Sequence, residues 1–266
     1  MPEQYSFAAE RIVLERLGTA DAQRVEVLSF TRLANTVFNA VGWDKGKRLN
    51  EAGKILLMSR ALEQCADNLN VYSRSADSPA VVRELLSLNE EFCQCAISPE
   101  DMTAAMNNME DGLLKSKLAD ISLVFSVYDS FVSDGWLDDS RMLTRLKDKI
   151  LESGYFKNKT VFFDSFRGFT AQEFGVIGKI LTQADDVYVA LTAPDLIERD
   201  SDDIFYHTKN TAKKLIKLAN SVGVPCAKPV VINDQNDDPA LDAFASDFLS
   251  PEADVFSGAC DSISIV

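Results

Sequence analysis

The chain has 266 residues and a formal net charge of −14, with 46% hydrophobic and 26% charged residues. These fractions are typical of a globular protein, and no apolar run is long enough to span a bilayer. Such acidity argues against general nucleic-acid binding, because phosphate contacts require Lys and Arg. The charge is uneven, however: residues 1–60 contain nine Lys and Arg against seven Asp and Glu.

The two ends of the chain predict a segment of a longer polypeptide. Residues 1–17 form an amphipathic helical pattern without the apolar core of a signal peptide, so we expect a cytoplasmic protein. No strand precedes this helix, and the chain ends on a predicted strand, SISIV at 262–266.

The cysteines predict no metal or cluster site. They are scattered, the single histidine is His207, and a Cys-x-Cys pair is too tight for the usual zinc or iron–sulfur spacing. We expect reduced structural thiols. The five are Cys65, Cys93, Cys95, Cys226 and Cys260.

The first half of the chain is predicted to be mostly helical. Residues 25–29 read as a short strand, and an apolar period predicts a helix over 30–41. A turn-rich basic loop follows at 42–48. Further helices are predicted near 50–68, 79–95, 99–110, 112–133 and 138–150, two of them beginning with Ser-Pro.

After Gly154 the hydrophobic period changes. Strands are predicted at 160–163, 187–191 and 229–232, separated by helices at 170–184 and 204–221. Alternation of this kind predicts a parallel α/β layer. The fold class is therefore α/β, with residues 1–44 and 153–266 in one domain and an inserted all-helical domain at 45–152.

The sequence contains no convincing catalytic constellation. Gly42–Arg48 and Gly175–Lys179 both fail as phosphate-binding loops, by spacing and by their setting. Asp164 ends a strand where nucleotide hydrolases hold Mg²⁺, although a polar residue at that point often only terminates the strand. Ser165 follows it and is not a general base at neutral pH. His207 reads as a polar residue at a helix start rather than a catalyst.

Several segments in order resemble AddB, one of the two chains of the bacterial AddAB helicase–nuclease. The resemblance covers essentially the whole chain. The segments are PEQYSFAAERIVLERL, VEVLSFTRLANTVF, AISPEDM, the pattern FxDxFxGFTxQE over Phe162–Glu173, and FYHTKNT at 205–211.

The resemblance implies a RecA-like, superfamily 1 helicase-like fold that has lost its motor function. Asp164 would be a vestige of the metal-binding strand motif (Walker B), with Ser165 in place of the catalytic Glu. The ATP, Mg²⁺ and iron–sulfur cluster of the family would belong to missing parts, leaving no cofactor here. The implied partners are single-stranded DNA and an AddA-type subunit, with no membrane.

The resemblance also implies DNA-facing positions that contribute to recognition of Chi, the crossover hotspot sequence. These are Gln4, Ser6, Phe30, Asn35 and Phe166. The family has Trp at the Asn35 position in some members, so this chain departs there. From its less acidic segment we add Arg32 as a phosphate or base contact. For Phe30 and Phe166 the alternative is core packing.

Two other functions remain open from the sequence. One is an ATP-hydrolysing helicase domain without its phosphate loop, against which Ser165 and Gly168 argue. The other is a protein-interaction scaffold, which the acidic charge favours. We expect the chain itself to be catalytically inactive.

Overall fold

The structure is a computed structural model, and it describes residues 1–75, 77–197, 203–232, 238–247 and 255–258. The chain forms two compact units, residues 1–226 and 227–266. The smaller unit contains one helix, α10 (Pro239–Asp247), among its described residues. The predicted strand at 262–266 lies outside them. No helix in the described part of the chain is both long and apolar enough to cross a membrane.

Two helices open the larger unit. A 3₁₀ turn at Glu3–Tyr5 leads into α1 (Ser6–Ala22), which is kinked at Gly18, where φ is +72°. The second helix, α2 (Phe30–Val41), has the predicted bounds. It begins there because the Ser29 side chain accepts a hydrogen bond from the Arg32 backbone N–H and satisfies a free donor of the first turn.

The part of the predicted helical block between two very short strands contains four α-helices. The Asn50 side chain caps α3, and a reciprocal Ser98–Asp101 capping box starts α5. Pro79 begins α4 as predicted, but Ser78 makes no capping hydrogen bond. The elements are β1 (Lys47–Arg48), α3 (Glu51–Cys65), α4 (Pro79–Gln94), α5 (Pro99–Asn107), α6 (Leu113–Ser133) and β2 (Trp136–Leu137).

The remaining elements of the larger unit alternate between strands and helices. A Thr170–Glu173 capping box starts α8, at the start of the helix predicted for 170–184. The elements are α7 (Met142–Ser153), β3 (Thr160–Phe163), α8 (Ala171–Leu181), β4 (Asp186–Val189) and α9 (Tyr206–Ser221). Strands β3 and β4 pair in parallel, with Val161 opposite Val187, and β1 pairs with β2 in parallel.

Two hydrophobic cores hold the larger unit together. The first, which we call the helical core, packs α3, α4 and α6 around Met58, Leu85 and Tyr128. The second, the sheet-side core, joins α2, α7, β3 and α8. Its buried residues are Leu33, Ala34, Val37, Phe38, Leu146, Ile150, Phe156, Phe163, Val176, Ile177 and Ile180. Helix α7 thus packs with the α/β elements, although the sequence placed it last in the helical block.

Three strand predictions need correction. Residues 25–29 and 229–232 are not strands: their β-branched side chains fit a strand, but a strand also needs a paired neighbour. Within 45–152 the sequence predicts helices only, yet β1 and β2 lie there. The Lys47 N–H donates to the Gly135 carbonyl, so this pair joins the start of the block to its end. The coarse α/β class, helix-rich with small parallel sheets, is confirmed.

Candidate nucleic-acid interface

The loop after β3 carries Asp164, for which the resemblance implies a vestigial metal-site role. Asp164 is exposed at the carboxyl end of the strand, and its Oδ1 accepts the Ser165 backbone N–H at 2.8 Å. Ser165 has φ +65°, an uncommon conformation for a residue with a side chain. The chain therefore turns sharply here, and Phe166 and Phe169 in the loop that follows pack against the sheet-side core.

Four phenylalanines form an aromatic cluster beside this turn. The Phe30 ring, at the start of α2, lies 5.8 Å from the Phe166 ring and 6.2 Å from that of Phe163. The Phe169 ring lies 4.7 Å from that of Phe166. Phe163 is buried, whereas the other three are half-buried against the sheet-side core. Phe30 and Phe166 thus pack on the core, as the alternative for these rings states, and each ring also keeps some exposed surface.

The N-terminus lies at the same edge. The Met1 ammonium donates to the Leu28 carbonyl at 3.0 Å. Burial lowers the pKa of this ammonium, and the negative charge of Asp164 opposes the shift. Gln4 is exposed in the 3₁₀ turn that follows, while Ser6 is buried and its hydroxyl donates to the Glu3 carbonyl. Of these two predicted DNA contacts, Gln4 is exposed to solvent and Ser6 is not.

Arg32 and Asn35 lie on α2, three residues apart on one side of the helix. The Arg32 guanidinium is 2.6 Å from a Glu10 carboxylate oxygen of α1, and both side chains remain about two-fifths exposed (43% and 41%). A DNA phosphate would therefore compete with Glu10 for this cation. Asn35 is half-buried.

Helix α9 packs against the loop that follows β3. The Thr211 hydroxyl lies 3.4 Å from the Arg167 carbonyl oxygen, and a Cβ added at Gly168 would approach that hydroxyl to 3.3 Å. Gly168 thus permits close packing between loop and helix. The Arg167 side chain is exposed above this contact.

Comparison with known sequences identifies the family. The sequence profile described as "ADDB, N-terminal" matches residues 1–244. The chain belongs to the AddB N-terminal family.

Three curated relatives of the chain carry the name of the B subunit of an ATP-dependent helicase/deoxyribonuclease. The protein from Clostridium botulinum (strain Loch Maree / Type A3) is 31% identical over 88% of the chain and 21% of its own length. That of Ruminiclostridium cellulolyticum is 32% identical over 89% of the chain and 21% of its own length. The Clostridium tetani protein is 32% identical over 88% of the chain and 21% of its own length. The chain therefore spans about a fifth of these relatives.

Among the predicted AddB positions, the structure joins Phe30 and Phe166 by direct ring contact. It places Asp164 next to them and sets Arg32 against Glu10. The sequence reasoning missed Phe169, which contacts every other ring of the cluster. The signal was available, because Phe163, Phe166 and Phe169 recur every three residues across the loop.

The groups at this edge include aromatic faces, one carboxylate and the Gln4 side-chain amide. Asp164 is the carboxylate of the turn, and one of its oxygens already accepts a backbone N–H. Within the described residues no group of three or more His, Cys, Asp and Glu side chains could hold a metal ion. The four cysteines in that part of the chain, Cys65, Cys93, Cys95 and Cys226, are free thiols.

Proposed function

We propose that this chain is the non-catalytic, helicase-like region of the AddB-type chain of a DNA-repair helicase–nuclease. In this role it has a RecA-like fold, binds single-stranded DNA and contributes to recognition of the Chi sequence. Family membership supports the general role, since the relatives are named as subunits of an ATP-dependent helicase/deoxyribonuclease. The DNA-binding part rests on the edge formed by Gln4, Phe30 and Phe166.

One observation carries the proposal. The chain turns sharply at Ser165 after β3, and an aromatic cluster lies beside this turn. Single-stranded nucleic acids are held by aromatic faces, each stacked base contributing about 1–3 kcal/mol. Phe166 and Phe30 offer such faces, and the exposed amide of Gln4 supplies both a donor and an acceptor for a base edge.

The same proposal gives the chain no nucleotide, metal or cluster of its own. A Mg²⁺–nucleotide site needs phosphate-cradling backbone and further oxygen ligands, and the turn at Asp164 offers one carboxylate followed by Ser165. In the parent family, ATP, Mg²⁺ and the iron–sulfur cluster would then be held by parts outside this chain.

A partner subunit of the AddA type is part of the proposal. The relatives are named as one subunit of a helicase/deoxyribonuclease, which presupposes another. Exposed apolar side chains on α1 are consistent with burial against a partner, since Phe7 is 78% exposed and Ile12 52%.

The test measures Chi-dependent fragment production together with helicase rate in the complete helicase–nuclease. Gln4→Ala and Phe166→Ala should each lower the response to Chi while unwinding by the partner subunit continues. Phe162→Ala is the matched control. Phe162 is also an exposed aromatic residue of this strand region, but it stacks on Tyr188 and lies outside the Phe30 cluster.

The outcomes separate recognition from support of the fold. A loss of Chi response with normal unwinding, absent in Phe162→Ala, supports the proposal. If fragment production and unwinding fall together in both variants, these residues serve the general DNA path or the fold. Recognition by Gln4 and Phe166 would then be wrong.

A further inference from the structure

Helix α9 differs in charge from every other described helix. It has four lysines and no acidic residue, whereas each other described helix has at most one cation or also contains Asp or Glu. In a chain with net charge −14 such a segment is unusual. Acidic residues three or four positions away on a helix can pair with its lysines, and α9 contains no such residue.

One of the four lysines serves the fold. Lys209 is buried, and its ammonium lies 2.6 Å from Asp203 and 2.9 Å from Asp195. The hydrogen bond to Asp203 is the main cause of its raised pKa. This buried ion pair fixes the first turn of α9 against the preceding segment.

Several exposed polar residues of α9, together with the half-buried Asn210, form a single stripe. They recur at intervals of three and four residues, which places them on one side of a helix. Each of their side chains has at least one N–H or O–H group that can donate a hydrogen bond. From the first to the last, the stripe extends about 21 Å at 1.5 Å per residue. The residues are His207, Asn210, Lys214, Lys217 and Ser221.

The stripe begins at the candidate nucleic-acid interface. Thr211, which lies one turn after His207, contacts the Arg167 carbonyl and approaches Gly168 in the loop that follows β3. Arg167 and His207 are both exposed at this contact, and Lys214 and Lys217 are exposed further along the helix. A line of donors therefore leads away from the aromatic cluster.

We propose that the α9 stripe binds the phosphate backbone of the single-stranded DNA whose bases contact Phe166 and its neighbours. Arg167 and His207 begin the track, and Lys214 and Lys217 continue it. This inference rests on the proposed function and deepens it, since it assigns backbone contacts to residues separate from those that contact bases. Backbone contacts carry no sequence information, so they position the strand without selecting Chi.

The test is the salt dependence of binding. Each phosphate contact on a single strand contributes about 0.7 to the slope of log K against log salt concentration. In the complete complex, Lys214→Gln or Lys217→Gln should reduce the magnitude of this slope by about 0.7. The double variant should reduce it by about twice as much. Binding of a fluorescent oligodeoxythymidine is measured by anisotropy in EDTA, which prevents Mg²⁺-dependent cleavage.

Lys157→Gln is the control, because Lys157 is also exposed but precedes the amino end of β3, away from the loop. Its slope should equal that of the unmodified complex. Equal slopes for the double variant and the unmodified complex would overturn the α9 track. Phe166→Ala reports separately on the proposed function: weaker binding with an unchanged slope supports base stacking whether or not the lysines contact phosphate.

Discussion

The ammonium nitrogen of Lys54 lies 3.1 Å from a carboxylate oxygen of Asp138, and Asp138 is almost completely buried. Asp138 also accepts hydrogen bonds from the Tyr128 hydroxyl and the Ser140 backbone N–H. Lys54 in turn contacts Glu90 at 2.9 Å. These groups come from α3, α4, α6 and the segment before α7, so the ion pair links the helical core to the helix that enters the sheet-side core.

Removal of the cation should destabilise this junction strongly. Lys54→Met keeps most of the side-chain volume but leaves Asp138 buried without its ammonium partner. Removal of one member of a buried pair typically costs about 3–5 kcal/mol. We expect a loss in the free energy of unfolding of that order, measured by urea denaturation of the chain.

A double-mutant cycle provides the control. Asp138→Asn in the Lys54→Met background removes the unpaired charge, so the double variant should be more stable than the sum of the single losses. Additive losses would show that the two side chains act independently and would contradict a coupled pair.

The same pair predicts a dependence of stability on pH. Burial alone raises the pKa of Asp138, but hydrogen bonds from Ser140 and the Lys54 ammonium outweigh it and hold that pKa below its ordinary value. An acid with a depressed folded pKa stabilises the fold above the unfolded pKa, about 3.9. Its contribution is lost as the pH falls through the folded pKa.

The Lys54 pKa is raised: burial lowers it, and the contacts with Glu90 and Asp138 reverse that effect. Its contribution is therefore present below the unfolded Lys pKa, about 10.4, and is lost only above it. The difference in unfolding free energy between the unmodified chain and Asp138→Asn should be constant from about pH 5 to about pH 9. These limits lie roughly one pH unit inside the unfolded pKa values of Asp and Lys. In more acidic solution the difference should shrink. A difference that grows with acidity would have the wrong sign.

Asp120 should be a second sensitive position. It is buried, and its carboxylate accepts the backbone N–H groups of Asn70, Val71 and Tyr72. Asp120→Ala leaves these donors without a partner, at about 1–3 kcal/mol for each donor that water does not reach. We expect a loss of several kcal/mol in unfolding free energy. Ser122→Ala on the same helix is the control, since Ser122 is not buried, and should change stability by less than about 0.5 kcal/mol.

Local signals in the sequence identified the helices well. Helices were predicted to begin at Ser98-Pro99 and at Thr170, and the structure begins α5 and α8 there, each with a capping box. The strand at 25–29 was mispredicted because its β-branched side chains are a local signal, whereas a strand also requires a neighbour. In the structure the Leu28 carbonyl accepts a hydrogen bond from the Met1 ammonium and not from a neighbouring strand.

Long-range relationships could not be predicted. Nothing near Lys54 in sequence indicates that Asp138 will face it, because the contact depends on how three helices pack. The position of α7 in the sheet-side core has the same origin: its apolar stripe fits either core, and packing against α2 and α8 decides. The aromatic cluster was partly visible, since Phe166 was singled out, but its contact with Phe30 required the fold.

The chain should not hydrolyse ATP. Ser165 follows Asp164, and an alcohol does not activate water without a base of its own. The measurement is phosphate release by the purified chain with and without single-stranded DNA, with Asp164→Ala as the matched variant. Turnover above a blank that Asp164→Ala abolishes would revive the alternative of a truncated helicase motor.

The last prediction separates the two roles of Phe166. Its ring packs against Phe169 and Phe30 and is only half-buried. Phe166→Ala removes both the packing and the exposed face, so a loss of Chi response could come from either. Phe166→Leu keeps much of the apolar volume but removes the aromatic face. We therefore expect the free energy of unfolding of Phe166→Leu to lie within about 1.5 kcal/mol of that of the unmodified chain, as is usual for changes that keep most of the apolar volume.

In the complete complex, Phe166→Leu should nevertheless weaken binding of single-stranded DNA by about 1–3 kcal/mol, the contribution of one stacked base. Phe166→Tyr keeps the ring and should restore binding. The contrasting result is a Leu variant that binds DNA as tightly as the unmodified complex while the Ala variant is unstable. In that case Phe166 serves only the sheet-side core, and another residue at this edge must hold the base.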